Sequence, residues 1–253
     1  MERRELFIDD HGTNLHIKLD IPETKGTCPV LILVHGFTGH MEEEPLLAVR
    51  DAAVRAGFAV LRAELYGHGK SGGAFRDHTI LKWMENAEAV TEYAKSLPFA
   101  DRIVFCGHSQ GGLLAILLGK KHPHAYAGLL ELSPGVSIPD DMRQGNLLGE
   151  RFDPDHIPDE IPTWEDLTLS AEYIRTMRDI DPYEAARSYP GPVMIIHGSE
   201  DEVIPPDDVR RLAQAYPDGE LKIIEGDDHN YSYHCDMMAK EAEAFLRRLA
   251  KAQ

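Results

Sequence analysis

The sequence predicts an α/β protein with a mostly parallel, doubly wound sheet, an N-terminal antiparallel hairpin and an inserted cap subdomain. Short apolar runs alternate with longer amphipathic stretches along most of the 253 residues, as in folds that cover a parallel sheet with helices on both faces. The N-terminal segment instead alternates apolar and polar positions around a turn. One proline-rich stretch interrupts the strand and helix pattern in the second half of the chain.

The predicted strands are short, and most of them are continuous apolar runs, which is typical of strands buried on both faces. The exceptions, Glu5–Asp9 and Leu15–Asp20, flank the turn-like His11-Gly12-Thr13-Asn14 and form the predicted hairpin. The remaining predicted strands are Val30–Val34, Phe58–Leu61, Ile103–Cys106, Gly128–Leu132, Val193–Ile196 and Leu221–Ile224.

Apolar residues at helical spacing predict helices between these strands. The predicted helices are Glu42–Ala56, Thr79–Ser96, Leu113–Lys121, Asp207–Ala215 and Asp236–Lys251. Because open α/β sheets bind their ligands at the carboxyl ends of the strands, the residues that directly follow each strand are the first candidates for a functional site.

The stretch that interrupts this pattern has short apolar runs and many carboxylates. Its prolines are Pro134, Pro139, Pro154, Pro158 and Pro162. A structureless loop of this length is rare in a compact domain and is usually functional. We therefore predict one domain over residues 1–253, in which about residues 134–188 form a cap subdomain over the end of the sheet.

The charge balance is acidic, with 26 Lys and Arg against 43 Asp and Glu, a formal net charge of −17. Nucleic-acid binding requires clustered basic residues that displace counterions, so we expect no nucleic-acid partner. Anionic membrane surfaces are disfavoured for the same reason. No run approaches the roughly 18 apolar residues of a membrane helix, so we expect no membrane partner.

Cysteine usage indicates a reducing compartment. Cys28, Cys106 and Cys235 are odd in number, and no two have metal-ligand spacing. The charged N-terminal segment lacks the pattern of a signal peptide, so we expect a cytoplasmic protein. The sequence leaves the oligomeric state open, a homodimer included.

The segment Gly107-His108-Ser109-Gln110-Gly111 is a G-x-S-x-G motif. A predicted strand leads into it and a predicted helix follows it, which is the context that a nucleophile turn requires. The small residues permit a sharp turn, and the N-terminus of the helix directs its free N–H groups and dipole toward the same point. We therefore predict that Ser109 is a nucleophile.

A serine hydroxyl needs a base, and the base needs an orienting carboxylate. In this type of fold the acid and then the histidine follow the serine along the chain. Asp201 follows a predicted strand and is the predicted acid, with Glu200 and Glu202 as alternatives. His229 follows the next predicted strand and is the predicted base, with His234 as the alternative.

Acyl transfer also requires N–H donors directed at the developing oxyanion. One predicted donor is the backbone N–H of Gln110, directly after the nucleophile. The second is the backbone N–H of Phe37, within His35-Gly36-Phe37-Thr38-Gly39, which leaves the Val30–Val34 strand.

We predict no cofactor and no metal. Gly69-Lys70-Ser71 resembles the end of a phosphate-binding loop, but that pattern requires a glycine at the position of Glu64. The first strand lacks a dinucleotide-binding glycine pattern, and the histidines do not have metal-ligand spacing.

The order of His35-Gly36, the G-x-S-x-G motif, Asp201 and His229 resembles the α/β-hydrolases across nearly the whole chain. A narrower resemblance, to the bacterial cinnamoyl or feruloyl esterases, involves both the loops after the strands and the proline-rich stretch. The segments that carry it are His35-Gly36-Phe37-Thr38-Gly39-His40, Gly67-His68-Gly69-Lys70-Ser71, Phe152-Asp153-Pro154-Asp155-His156-Ile157-Pro158-Asp159, Asp166-Leu167-Thr168-Leu169 and Tyr173.

This resemblance implies an α/β-hydrolase fold and a serine carboxylesterase acting on hydroxycinnamate esters, such as those of ferulate, p-coumarate and caffeate. The partner would be a small aromatic ester. In that family a cap aspartate and a cap tyrosine hydrogen-bond the phenol, and these residues correspond to Asp141 and Tyr173. A family glutamine corresponds to Leu148, which leaves the preference for ring substituents open.

Two other interpretations remain at this point. The first is a different enzyme on the same fold, such as a short- or medium-chain acyl esterase, a thioesterase or a small-peptide hydrolase, because a triad does not determine the leaving group. The second is a non-catalytic binding protein that retains the fold.

Overall fold

The protein, described for residues 1–23, 26–163 and 166–251 in a computed structural model, is built around one large sheet. The described strands are β1 (Glu2–Asp10), β2 (Thr13–Ile21), β3 (Cys28–Val34), β4 (Ala59–Ala63), β5 (Ala100–His108), β6 (Gly128–Leu132), β7 (Asn146–Leu147), β8 (Glu150–Arg151), β9 (Glu160–Pro162), β10 (Thr168–Ser170), β11 (Val193–Gly198) and β12 (Gly219–Ile224). Eight of them form the large sheet, in the order β1-β2-β4-β3-β5-β6-β11-β12.

Within this sheet β2 pairs antiparallel with both β1 and β4, and all other neighbouring strands are parallel. The predicted fold class, a mostly parallel sheet with an N-terminal antiparallel hairpin, is confirmed. The described helices are α1 (Glu44–Arg55), α2 (Ile80–Ser96), α3 (Gln110–Lys121), α4 (Ile138–Arg143), α5 (Ala171–Arg178), α6 (Pro182–Arg187), α7 (Pro206–Ala215) and α8 (Cys235–Lys251).

Both faces of the sheet are buried under helices. Along β3, Ile32 contributes to one core together with Trp83 of α2, whereas its neighbour Leu31 contributes to a second core together with Phe245 of α8. Successive side chains of a strand point to opposite faces. A strand between two apolar cores is therefore apolar at every position, which explains the continuous run in β3.

The segment between β6 and β11 contains α4, α5 and α6, together with the two-stranded sheets β7-β8 and β9-β10. Helix α5 packs against α4 and against α2. Helix α6 packs against α3 and α7, so the end of the segment lies on the helices that cover the main sheet. Residues of α4, α5 and β7 also contribute to the core that includes Trp83.

A buried histidine connects the N-terminal hairpin to the loop after β4. The ring nitrogens of His16 lie 2.7 Å from a carboxylate oxygen of Glu64 and 2.7 Å from one of Glu5. The same Glu64 oxygen accepts from the N–H of Lys70 at 2.7 Å, and the hydroxyl of Ser71 accepts from the N–H of His16 at 2.8 Å. The loop is therefore fixed at several points against β2.

Strand β6 carries a buried carboxyl group, that of Glu131. One oxygen accepts a hydrogen bond from the Tyr216 hydroxyl, and the other has no partner among the described residues. Burial raises the pKa of Glu131 to about 8 from an ordinary value of 4.5. The folded protein therefore holds this proton up to a higher pH than the unfolded chain does, and stability must decrease between these two values.

We expect Glu131→Gln to weaken this pH dependence, because the amide cannot ionise. Relative to Glu131→Gln, the free energy of unfolding of the wild type should fall by up to about 1.4 kcal/mol for each pH unit as the pH rises from 4.5 to about 8. Urea unfolding at pH 5 and pH 8 measures the slope. Glu85→Gln, at an exposed position of α2, is the control and should retain the wild-type slope. Equal slopes in wild type and Glu131→Gln would contradict a proton held in the fold.

Candidate active site

The turn between β5 and α3 presents the side chain of Ser109. Ser109 has a φ of 54° and a ψ of −117°, in a region that is costly for residues other than glycine. Its N–H donates to the carbonyl of Leu132 at 2.9 Å, which ties the turn to β6. Its own carbonyl accepts from the N–H groups of Gly112, Leu113 and Gly135. The surrounding backbone therefore maintains the strained conformation.

The glycines of the motif are required by close backbone contacts. A Cβ on Gly107 would lie 2.0 Å from the carbonyl oxygen of Gly111, and a Cβ on Gly111 would lie 2.5 Å from that of His35. Contacts this short are repulsive, so the strand, the turn and the helix can approach one another only with glycine at these positions. The spacing of the motif thus follows from the packing around Ser109.

A line of hydrogen bonds joins the three polar residues predicted at the strand ends. The Nε2 atom of His229 lies 2.9 Å from Ser109 Oγ, and its Nδ1 atom lies 2.7 Å from Asp201 Oδ2. Asp201 Oδ1 accepts from the N–H groups of Val203 and Ile204 at 2.9 and 2.8 Å. Both carboxylate oxygens are therefore engaged, which fixes the plane of the carboxylate and the orientation of the imidazole.

The environment keeps Asp201 ionised. Burial alone would raise its pKa, but the hydrogen bond and charge of His229 and the backbone donors outweigh burial and lower it. The alternatives for the acid, Glu200 and Glu202, have exposed side chains. The alternative base, His234, lies with its ring near Gly226.

A second histidine, His108, supports the loop that carries His229. Its Nε2 atom lies 2.9 Å from the backbone carbonyl oxygen of His229, and the two ring centroids are 5.0 Å apart. Burial lowers the pKa of His108 to about 3. The ring is therefore neutral near pH 7, and the proton on Nε2 can be donated to this carbonyl.

The two predicted oxyanion donors belong to two different segments of the chain. Phe37 belongs to the loop after β3, and Gln110 is the first residue of α3. Neither N–H donates to another described residue. The ring of His68 lies between the carbonyl oxygens of Tyr66 and Phe37, with Nε2 in hydrogen-bond contact with the latter. This contact holds the Phe37 loop against the anchored loop after β4.

Ser109 and His229 line a cavity of about 270 Å³. On one side its wall is the loop after β3, and on the other it consists of residues from the segment between β6 and β11. The residues from that segment are Ile138, Leu147, Leu148 and Tyr173. The cavity thus presents a mainly apolar wall facing the polar groups at the strand ends.

The two residues predicted to bind a phenol line adjoining cavities that share Leu148 and Val203. Tyr173 lines the cavity that contains Ser109, and its buried hydroxyl donates to Gln110 Oε1 at 2.8 Å. Asp141 lines a neighbouring cavity of about 590 Å³. Its carboxylate accepts from the Ser137 hydroxyl at 3.5 Å, and burial raises its pKa. Leu148, which replaces the family glutamine, lines both cavities.

Two residues near the site, Glu43 and His68, were given no role by the sequence analysis. Glu43 lines the cavity of Ser109, although it lies within a run of glutamates that has the composition of a solvated surface. His68 contacts the Phe37 loop across 31 positions of the chain. Both contacts depend on tertiary packing, and only a spatial arrangement of the loops could reveal them.

None of the helices in the described part of the chain combines the length and apolar character needed to cross a bilayer. Over the same residues, no group of three or more His, Cys, Asp or Glu side chains is arranged to hold a metal ion.

Comparisons with known proteins agree with this fold. The model of the Hydrolase_4 family, described as serine aminopeptidase S33, matches residues 26–161. Est1E from Butyrivibrio proteoclasticus, in its structure with bound ferulic acid, is 39% identical with a TM-score of 0.94 and covers 96% of this chain and 98% of its own. Est1E in a second structure is 36% identical with a TM-score of 0.91, covering 97% of this chain and 98% of its own.

A more distant relative is the monoacylglycerol lipase of Mycolicibacterium smegmatis. It is 27% identical over an alignment of 228 residues that covers 78% of this chain and 79% of the lipase. The family match covers more than half of the chain, and the match to Est1E extends over nearly all of it. The chain therefore belongs to the serine aminopeptidase S33 family of α/β-hydrolases, and it is a carboxylic ester hydrolase that resembles the cinnamoyl and feruloyl esterases.

Proposed function

We propose that the protein hydrolyses hydroxycinnamate esters by a Ser-His-Asp mechanism with an acyl-enzyme intermediate. The observation that carries the mechanism is the continuous line of hydrogen bonds from Asp201 through His229 to Ser109, in the wall of a cavity. In this arrangement a neutral imidazole can accept the serine proton while the carboxylate stabilises the imidazolium that forms.

In the first step, Ser109 Oγ bonds to the ester carbonyl carbon while its proton moves to His229 Nε2. The carbonyl electron pair moves onto oxygen, and the N–H groups of Phe37 and Gln110 stabilise that oxyanion. The tetrahedral intermediate then collapses, the bond to the alcohol oxygen breaks, and His229 gives its proton to the departing alcohol. The products of this step are the free alcohol and acylated Ser109.

The second step repeats this chemistry with water. His229 removes a proton from water as the water oxygen bonds to the acyl carbon, and the same N–H groups hold the oxyanion. Collapse of the intermediate breaks the bond to Ser109 Oγ, which recovers its proton from His229. The carboxylic acid leaves and the enzyme returns to its starting state.

Two observations support a hydroxycinnamoyl group as the acyl part. Est1E, whose structure contains ferulic acid, has nearly the same fold over the whole chain. The cavity also combines apolar side chains with Tyr173. The hydroxyl of this tyrosine donates to Gln110 and can still accept a hydrogen bond from a phenol. An acyl group that extends past Leu148 and Val203, which line both cavities, would bring its phenol toward Asp141.

Tyr173→Phe and Asp141→Ala test this substrate assignment. Each should lower kcat/KM for methyl ferulate by a factor of about 5 to 150, the equivalent of about 1–3 kcal/mol for a lost buried hydrogen bond. The loss should be much smaller for p-nitrophenyl acetate, which cannot reach either group. Tyr126→Phe, which changes a buried tyrosine bonded to Thr91, is the matched control and should not discriminate between the esters.

Initial rates on methyl ferulate, methyl cinnamate and p-nitrophenyl butyrate separate the alternatives. A strong preference for ferulate over cinnamate is the expected result, because a site built for a hydroxyl discriminates against an analogue without it. Rapid butyrate hydrolysis with little ferulate hydrolysis would replace the proposed substrate with a short or medium acyl chain. Equal losses on all esters in Tyr173→Phe would indicate a role in stability.

A further inference from the structure

The side chain of Glu43 does not have the usual role of an acidic residue at the start of a helix. Glu43 is the N-cap of α1, yet its carboxylate makes no capping hydrogen bond to the helix. The shorter side chains of Ser, Thr, Asp and Asn commonly make such bonds at this position. The carboxylate instead lines the cavity that contains Ser109 and His229.

The carboxylate of Glu43 packs against the loop after β3. A Cβ on Gly39 would lie 2.5 Å from Glu43 Oε1, so the glycine makes room for this carboxylate. The backbone N–H of His40 and the charges of His40 and His229 favour the ionised form of this carboxylate. Burial opposes these effects and raises the pKa of Glu43, as expected for an acid partly withdrawn from water.

The position of Glu43 relative to the reaction follows from the proton transfers. His229 Nε2 must protonate the departing alcohol, so the alcohol part of the ester has to lie beside His229. Glu43 is close enough to His229 for electrostatic interaction, and Asn230 completes this part of the cavity wall. The apolar residues from the segment between β6 and β11 line the same cavity and suit the acyl group.

We propose that Glu43 determines which alcohols the enzyme releases. It favours esters whose alcohol carries a cationic group or hydroxyl donors near the ester oxygen, and it opposes alcohols that carry a carboxylate. A carboxylate accepts hydrogen bonds from hydroxyl or ammonium groups and repels another anion across a partly buried cavity. This proposal rests on the proposed function, because it assumes that His229 protonates the leaving group.

Three butyrate esters with different alcohols test the proposal without relying on the aromatic acyl group. They are the ester of choline, the ester of its uncharged analogue 3,3-dimethylbutanol and the ester formed on the hydroxyl of glycolate. The last is anionic because the glycolate carboxylate remains free. The wild type should show kcat/KM in the order choline, dimethylbutyl, glycolate, with about tenfold between neighbours for a charge interaction in a partly buried site. In Glu43→Gln, the ratio of kcat/KM between choline and dimethylbutyl esters, and the ratio between dimethylbutyl and glycolate esters, should each lie within about threefold of one.

The ratios between esters cancel any general loss of activity in the variant. Glu44→Gln, at the exposed neighbouring position, is the matched control and should retain the wild-type ratios. Glu43→Asp, which keeps the charge, should retain the same order. Thermal unfolding of each variant shows whether it is folded. If Glu43→Gln is inactive on all three esters, the result for Glu43→Asp tests the proposal instead. If Glu43→Asp does not retain the wild-type order of kcat/KM among the three esters, the proposal is overturned.

Wild-type ratios in Glu43→Gln would overturn the role of Glu43 and leave the proposed function intact. A failure of the proposed function is a separate result, namely butyrate hydrolysis that persists in Ser109→Ala. The same three alcohols esterified to ferulate extend the test to the proposed substrate. There the order of the alcohols should be the same, because the acyl and alcohol parts contact different regions of the cavity wall.

Discussion

Ser109→Ala is expected to lower kcat by a factor of about 10⁴ or more, the scale seen when a member of a catalytic triad is removed. Ser109 Oγ is the oxygen that His229 Nε2 contacts at 2.9 Å, and alanine leaves the cavity without a nucleophile at this point. Initial rates on methyl ferulate and p-nitrophenyl butyrate measure the loss. A fluorophosphonate probe should label the wild type and leave Ser109→Ala unlabelled.

Ser133→Ala is the matched control for this experiment. Ser133 is also buried and has a positive φ of 41°, but its hydroxyl donates to Tyr231 and makes no contact with His229. Its removal should change stability more than turnover. Near-normal turnover or continued labelling in folded Ser109→Ala would show that another residue is the nucleophile.

Asp201→Asn is expected to lower kcat by about 10⁴-fold with little change in fold. The asparagine Oδ1 can still accept from the N–H groups of Val203 and Ile204, as the carboxylate does at 2.9 and 2.8 Å. The NH₂ group then faces His229 Nδ1 and donates to it. The imidazole proton then lies on Nε2. Because Nε2 already carries a proton, it can no longer accept the proton of Ser109.

Glu200→Gln and Glu202→Gln serve as controls, because both side chains are exposed neighbours in the same loop. Each should retain kcat within about twofold, because the hydrogen bond to His229 Nδ1 comes from Asp201 and not from either glutamate. A large loss in either control, together with a small loss in Asp201→Asn, would transfer the orienting role to that glutamate. Thermal unfolding of all three variants separates catalytic from structural effects.

Sequence patterns located the strands of the main sheet because most of them are buried on both faces. Strand β6 has the predicted bounds, Gly128–Leu132, and β5 extends beyond its predicted core to Ala100–His108. Strand β12 lies at the sheet edge, where alternating exposed residues hid its beginning at Gly219. The strands β7 to β10 have two or three residues each, which is too short for any periodic signal.

The candidate site, like the fold, has one part that could be predicted from the sequence and one part that could not. Residues directly after strands, such as Asp201 and His229, could be predicted because parallel strands end at one edge of a sheet. Their hydrogen bonds to each other and to Ser109 lie at this edge. The cavity position of Glu43 and the placement of Asp141 and Tyr173 in adjoining cavities depend on how loops and short helices pack, which no local pattern encodes.

The cavity also has a consequence for protein engineering. Its reactive groups belong to the ends of β5, β11 and β12, where close glycine contacts leave no space for larger side chains. Most of its apolar wall belongs to a separate stretch of chain. Libraries that diversify Ile138, Leu147 and Leu148 should therefore yield many active variants with altered acyl preference. Libraries at Gly107 and Gly111 should yield almost none, so we expect changes of substrate preference to arise mainly from the segment between β6 and β11.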